Sequence, residues 1–306
     1  MKRYIFILML FVFPVFVCAQ DSGTSGADIL KVPVGVRAAA LAGAYSALGD
    51  DVYVVGYNPA GLSRVSKYSI GLDHVEGFAG VQVESLSVAI PTRDYGNFGG
   101  QLVYRHMPDI SNALATDPAI MANDILLTVA DAQQFGKVAI GGALKIIYSN
   151  LGEKQALTEA IDIGAKYQFL DTDFAFAVQN IGPGVQYQPN PQGEDPLPLT
   201  FRLAAARPII VSPSSTLLAS VEAFNVRDEG NQAAFALEYW HRSVIAIRAG
   251  YRLSDDQNLG GGFTAGAALR YNLGKLEYEL GFAWRPSQIS PTFIANSYTF
   301  GLLFWF

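Results

Sequence analysis

Three histidines are the first side chains to weigh for chemistry: His74, His106 and His241. A histidine works as a base or a metal ligand only with partners at fixed spacing. No recognisable motif sets a nucleophile or a carboxylate beside these three, and no two ligand-type residues stand at metal-binding spacing. Gly260-Gly261-Gly262 precedes a strand-like segment, not a helix, so it is no phosphate loop. Cys18 is the sole cysteine and lies in a segment expected to be removed, which excludes disulfides, thiolate metal sites and thiol nucleophiles from the mature chain. The expectation is a protein that is not an enzyme and carries no metal or cofactor.

The remaining chemistry-bearing residues are charges on one face of alternating segments: Arg105, Lys145, Asp162, Lys166, Arg202, Glu222, Glu238, Arg248, Arg252, Arg270, Glu277, Glu279 and Arg285. Both signs occur in similar number, which argues against a cation or an anion filter. Mutual pairing inside a narrow barrel accounts for them better. An open porin would hold fewer such pairs and have more strands.

The elements that position these charges follow a period of two, not 3.6, from Tyr68 onward. Leu276, Tyr278, Leu280, Phe282 and Trp284 alternate with Glu277, Glu279, Gly281, Ala283 and Arg285. Fourteen such segments are expected, at 68–76, 81–91, 96–107, 123–135, 137–149, 158–169, 173–181, 198–209, 215–225, 232–241, 243–253, 261–272, 275–285 and 295–306. A strand of about 9 to 11 residues with one apolar face fits a tilted crossing of a bilayer. Hydrocarbon offers no hydrogen bonds, so such a sheet must close on itself. The fold class expected is all-β, a 14-stranded antiparallel transmembrane barrel. Longer connections at 108–122, 150–157, 182–197, 226–231, 254–260 and 286–294 would face outward, opposite short periplasmic turns, with the brief 77–80 connection as an exception on the outer side.

Both ends of the chain carry targeting signals. Lys2 and Arg3 precede an apolar stretch from Tyr4 to Val17 and a small-residue site, so residues 1–19 read as a signal peptide cut after Ala19. Acylation of Cys18 as a lipoprotein is the competing reading, and Val17 before it suits that chemistry poorly. Without Lys2 and Arg3 the 21 basic residues become 19 against 27 acidic ones, a net charge of −8 with no basic cluster, and nucleic acid is not an expected partner. At the other end Tyr298, Phe300, Leu302, Phe304 and Phe306 share one face. That ending resembles the signal read by the outer-membrane barrel assembly machinery, with Phe306, Phe304 and Tyr298 as its aromatic contacts. The expected location is the outer membrane of a Gram-negative cell, in contact with its lipid.

Residues 20–67 do not alternate, which sets them apart from a barrel at 68–306. They hold Gly23-Thr-Ser-Gly-Ala-Asp, then Val36-Arg-Ala-Ala-Ala-Leu-Ala-Gly-Ala-Tyr-Ser-Ala-Leu-Gly-Asp-Asp51, then Tyr57-Asn58-Pro59-Ala60-Gly61-Leu62. On these motifs the mature chain resembles the PorV/PorQ family, within the superfamily of the long-chain fatty acid transporter FadL. The resemblance implies an N-terminal segment folded into the lumen as a hatch. Arg37, Asp50 and Asp51 would then sit beside wall charges, either as a fixed network or as a latch that moves. Asn58, Pro59, Ala60 and Gly61 would turn the chain toward the first strand. Ile29, Leu30, Val32, Val34, Leu41 and Tyr45 would offer apolar contacts to a ligand.

Two functions are open on the sequence. The PorV side of the resemblance implies partners in protein secretion of the type IX kind, either machinery or secreted cargo. The FadL side implies passive, hatch-gated uptake of small hydrophobic molecules. The longest expected outer connection, 182–197, is short for a cargo receptor.

Overall fold

A strand that is apolar toward lipid and polar toward its partners leaves no face for a second sheet, and an open edge in hydrocarbon would strand its amides. Closure answers both. The computed structural model describes residues 23–92, 94–110, 120–188, 193–254, 262–290 and 293–306, so the expected leader lies outside the described residues. Fourteen antiparallel strands form one closed ring: β1 (Ser69–Glu76), β2 (Gln82–Pro91), β3 (Asn97–Ile110), β4 (Ile120–Phe135), β5 (Val138–Leu151), β6 (Lys154–Phe169), β7 (Thr172–Ile181), β8 (Thr200–Ser212), β9 (Ser215–Val226), β10 (Gly230–His241), β11 (Ile245–Ser254), β12 (Gly262–Leu273), β13 (Leu276–Ser290) and β14 (Phe293–Trp305). The ring closes where β14 meets β1, with Ser69 opposite Trp305 and Glu76 opposite Tyr298.

The two faces separate as the alternation requires. On the outer face Val129, Leu144, Ile146, Ile163, Ile247, Leu269 and Leu280 are 52–60% exposed, a surface suited to hydrocarbon and not to water. On the inner face Lys145, Asp162, Lys166, Glu222, Glu238 and Arg248 are buried. No helix among the described residues is long and apolar enough to cross a membrane.

Three of the expected longer connections are overturned. Residues 150–157 are not a long loop, since β5 and β6 pair as far as Leu151 with Lys154 and join through Gly152-Glu153. Polar residues at Asn150 and Gln155 read as a loop, yet they face one another in a ladder that projects beyond the apolar band. Gly152 takes the left-handed conformation, φ 62°, that the tight turn needs. Residues 227–229 likewise form only a brief turn between β9 and β10. The expected loop 286–294 is likewise strand, since β13 pairs with β14 as far as Ser290 with Phe293. Of the expected longer set, 182–197 is a long connection in its described parts, and 111–119, 189–192, 255–261 and 291–292 lie outside the described residues.

The last residue stays in register with the wall. The Phe306 amide donates to the Tyr68 carbonyl at 2.9 Å, and the Phe306 side chain is exposed on the outer surface. Phe306→Ser removes an aromatic surface but no backbone bond. The expected result is a lower yield of heat-modifiable barrel in the membrane fraction with unchanged stability of the barrel that does form. An unchanged yield would contradict an assembly role for the terminal aromatic.

Candidate functional site

Residues 23–67 lie within the ring. A short helix α1 (Val36–Ala40) packs on β11 to β14, and two 3-10 turns, Val52–Gly56 and Pro59–Arg64, pack on β1 to β6. Local capping explains the turns. Asp51 accepts from the Tyr53 amide at 3.0 Å, and Asn58 accepts from the Ala60 amide at 3.1 Å with Pro59 in the first helical position. Gly35, at φ 95°, makes the sharp bend that leads into α1, against the Tyr53 ring.

Glycines on the inner face of the wall receive this segment. At Gly71 a Cβ would strike the Tyr53 ring, at Gly141 the Pro59–Ala60 backbone, at Gly164 the Asn58 side chain and at Gly281 the Val36 side chain. Gly99, Gly250, Gly266 and Gly301 are in similar contact with Leu62, Ala42, Ala40 and Val36. Sockets of this kind let backbone approach backbone, and they fix the hatch by shape.

Polar contacts fix it by charge. Arg37 grips Glu238 of β10 through Nε and Nη2, both at 2.8 Å, while its Nη1 meets Asp50 at 2.5 Å and Asp51 at 3.4 Å. Glu238 is shared with Arg248 at 2.7 Å, and Arg248 reaches Glu279 at 2.8 Å, which Arg270 also meets at 2.9 Å. The result is one alternating chain of charge from the hatch to the wall. A second acceptor, Glu222, takes the Tyr45 and Ser46 amides at 2.9 Å each and the Arg202 guanidinium at 2.7 Å. Asp73 on β1 takes the Val36 amide at 3.2 Å and the Ser85 hydroxyl at 3.2 Å.

Arg37 is held in its charged form: burial opposes the charge, but Glu238 and Asp50 more than offset it. Burial pushes the Asp51 carboxyl above the ordinary aspartate value, and the nearby Arg37 offsets only part of that. The Tyr45 hydroxyl, kept protonated by burial and by the Asp51 charge, donates to Asp51. Arg37, Asp50 and Asp51 therefore come together as one cluster with wall charges. Asn58 ties to the wall through its amide, which donates to the Ala165 carbonyl at 3.2 Å.

The packed core of the hatch, including Leu41, Tyr45, Val54 and Leu62, separates two cavities. At the end where β1 begins and β14 finishes, one of about 270 Å³ is lined by Arg37, Asp50, Lys67, Arg270, Glu277 and Trp305. At the opposite, loop end, one of about 60 Å³ is lined by Leu30, Val32, Val34, Phe224, Arg202 and Arg252, among others. Of the expected apolar contacts, Ile29, Leu30, Val32 and Val34 reach this cavity. Leu41 and Tyr45 do not, because Leu41 is fully buried in the hatch core and Tyr45 is tied to Glu222 and Asp51. His74 and His106 sit on the outer face, bonded to Glu84 at 2.7 Å and Gln82 at 2.9 Å.

The strap that roofs the smaller cavity, residues 23–34, is pinned at a point the sequence did not mark. Lys31 meets Asp28 at 2.7 Å and the buried Asp228, in the β9–β10 turn, at 3.0 Å. The Ser25 amide donates to the same Asp228 carboxyl at 3.3 Å, and the Gly26 amide donates to the Pro196 carbonyl at 3.0 Å. Burial works against both charges, yet Lys31 holds Asp228 below its usual value, and Asp28 and Asp228 hold Lys31 above its own. Stabilisation from Asp228 is present above the ordinary aspartate range and lost as pH falls through its lowered value. That from Lys31 is present below the ordinary lysine value and lost only as pH rises past it. Amide protection of residues 25–30, corrected for intrinsic exchange, is thus expected to be equal at pH 5 and pH 8. Asp228→Asn should speed exchange there about tenfold, as loss of a charged hydrogen bond implies. Protection that disappears between those pH values would contradict the latch.

No protein-family model matches the chain, and no curated protein matches it. Among solved structures it is similar to the toluene transporter TbuX of Ralstonia pickettii, at 12% identity and TM-score 0.59, over 89% of this chain and 97% of that one. It is similar to the CymD monoaromatic hydrocarbon channel at 11% identity and TM-score 0.59, with the same shares covered. A FadL homologue of Pseudomonas aeruginosa aligns at 12% identity and TM-score 0.56, again over 89% and 97%. What the chain shares with these proteins is the fold, a closed 14-stranded barrel of the FadL-like kind.

Proposed function

We propose that this FadL-like barrel resides in an outer membrane and admits small hydrophobic molecules past its hatch, without catalysing a reaction on them. The observation that carries the reading is the apolar strap Ile29–Val34 roofing a cavity whose other wall includes Phe224 and Val226. The fold it shares with proteins named as toluene transporters and monoaromatic hydrocarbon channels supports the same class of solute. At about 60 Å³ the cavity is smaller than the roughly 150 Å³ that holds a benzene ring, so a solute enters only as the strap lifts. The strap is the part to move. It is held by few contacts around Asp228, whereas Val36 to Arg64 is socketed into glycines around the ring.

The charged lumen argues against a general pore. Paired charges of both signs occupy the inner face, and the hatch core fills the space between the two cavities. The alternative suggested by the PorV/PorQ resemblance, a part in protein secretion, gains nothing from the short Gly152-Glu153 and 227–229 connections, which offer little surface to a cargo protein.

Deleting the gene and restoring it on a plasmid tests the choice. Uptake of labelled toluene and the profile of secreted proteins would be measured in the same cells. The expected result is reduced uptake with an unchanged secreted profile, reversed by the plasmid. Lost secretion with normal uptake would overturn the proposal in favour of the secretion reading.

A further inference from the structure

Carboxylates collect on the outward face of β1 and β2, where a wall of this kind is expected to be apolar. Both strands are short on the loop side: β1 ends at Glu76 and β2 begins at Gln82, while β14 begins at Phe293 and β3 runs on to Ile110. Register sets the outward residues of these four strands in rows. Leu302, Leu72, Leu86 and Leu102 form one row, and Phe300, His74, Glu84 and Tyr104 form the next toward the loop end. One step further up, Glu76 stands opposite Tyr298. The surface passes from leucine to carboxylate within a single step of the strand.

The neighbours of Glu76 and Glu84 do not neutralise them. His74 has Nδ1 2.7 Å from Glu84 and Nε2 3.6 Å from Glu76. A neutral imidazole donates from one nitrogen only, and a protonated one sets one charge against two. Gln82 donates its amide to Glu76 at 3.1 Å, which adds no charge. Among the described residues neither carboxylate has a Lys or Arg within 4 Å, and the connections beside this face, 77–80, 111–119 and 291–292, contain neither residue type. The two side chains are 43% and 49% exposed, so both have acceptor positions open to the surroundings.

Below the carboxylates the wall is hollowed. Leu72, Leu86, Leu102, Leu280, Leu302 and Phe300 line an open groove of about 620 Å³, with His74 and Glu84 at its loop-end margin. That is several times the roughly 150 Å³ that holds a benzene ring, and it accommodates a length of acyl chain. Tyr298 stacks on Phe282 at 6.2 Å, and its strand neighbour Trp284 donates to Asn296 at 2.9 Å. Aromatic residues with a polar tip mark the level where lipid heads begin. Glu76 lies at that level, and the leucines lie among the tails.

We propose that the groove holds an acyl chain of a glycerophospholipid whose primary ammonium head rests against Glu76 and Glu84. An ammonium brings three N–H donors and a positive charge, which are the two things this face lacks, whereas an anionic head would meet two carboxylates. The site lies outside the barrel and does not use the lumen. It rests on the barrel's place in a membrane and not on the uptake reading.

Native mass spectrometry of the full barrel tests it, with the protein released from micelles that contain phosphatidylethanolamine, phosphatidylcholine and phosphatidylglycerol in equal amounts and with the same chains. Phosphatidylethanolamine is expected to be retained about tenfold more than phosphatidylglycerol, the ratio that one charged hydrogen bond implies. Phosphatidylcholine, which has the charge but no N–H, should fall between them. The double variant Glu76→Gln with Glu84→Gln keeps the size of both side chains and should retain the three lipids equally. Leu86→Trp fills the groove and should lower retention of all three, with heat-modifiable migration confirming that each barrel is folded. Equal retention of the three lipids by the wild type, a preference unchanged in the double variant, or undiminished retention by Leu86→Trp would overturn the proposal. Lipid retention is read without any solute, so its outcome is separate from that of the uptake experiment.

Discussion

Glu238→Ala is expected to loosen the hatch while leaving the ring of strands intact. Glu238 receives both arms of Arg37 and the Nε of Arg248, and its own side chain is fully buried. Removing it leaves Arg37 with Asp50 and Asp51 alone and Arg248 with Glu279 alone, and breaking a buried pair in this way costs up to about 3–5 kcal/mol. The barrel itself does not lose a backbone bond, because Glu238 contributes to the β10 ladder through its main chain, which alanine retains. Trypsin added to the purified protein should therefore cut at Arg37 in the variant and not in the wild type, with heat-modifiable migration preserved in both. Glu238→Gln, which keeps the shape and one acceptor but loses the charge and turns an NH2 donor toward the arginines, should fall between them. A variant as resistant as the wild type would show that shape, not charge, seats the hatch.

Gly141→Val tests the other half of that statement. A side chain at position 141 points into the lumen at the Pro59–Ala60 backbone, so the obstruction is main chain and not the movable end of a side chain. Overpacking of a tight contact costs about 1–3 kcal/mol even where neighbours can shift, and here Asn58 and the Gly164 socket hold the same turn from the adjoining strand. Position 141 pairs with Ala132 and Gly164 in the middle of the sheet, where valine suits a strand. The expected result is a folded barrel with the 58–64 turn displaced, seen as at least a tenfold rise in amide exchange over those residues. Exchange unchanged from the wild type would mean that the socket is looser than its geometry implies.

The barrel was legible in the sequence because its physics is local. Strict alternation in β5, from Val138 to Tyr148, already tells which face is outward, and the structure buries the opposite set; in β13, from Leu276 to Trp284, it buries Glu279 and Ala283 of the opposite set. Strand ends were less legible. Asn150 and Gln155 are polar enough to read as loop, but a ladder that rises beyond the apolar band needs no apolar residues. The cluster at Arg37, Asp50 and Asp51 could be expected beside wall charges, yet its partner Glu238 is 201 residues away and nothing in either segment announces the pairing.

Two parts of the site were missed. The strap's anchor, Asp228, sits in a three-residue turn and looks like any solvated aspartate until the Lys31 ammonium and Ser25 amide are placed beside it. The glycine sockets did leave a signal. Gly71, Gly99, Gly141, Gly164, Gly250, Gly266, Gly281 and Gly301 all fall on the inward parity of their strands, where glycine weakens a strand and marks a close approach of backbone. Apolar contacts at Leu41 and Tyr45 were expected from residue type alone, and type does not tell a ligand's wall from a hatch's own core.

On the proposed reading the hatch closes the lumen until a solute moves the strap. Ionic conductance of the purified wild-type barrel in a planar bilayer measures this most directly, with Gly141→Val as the opened reference. The predicted record is a wild-type barrel with no steady conductance and a variant with discrete open-pore steps. A wild-type barrel that conducts steadily, at the level of the variant, would contradict the account.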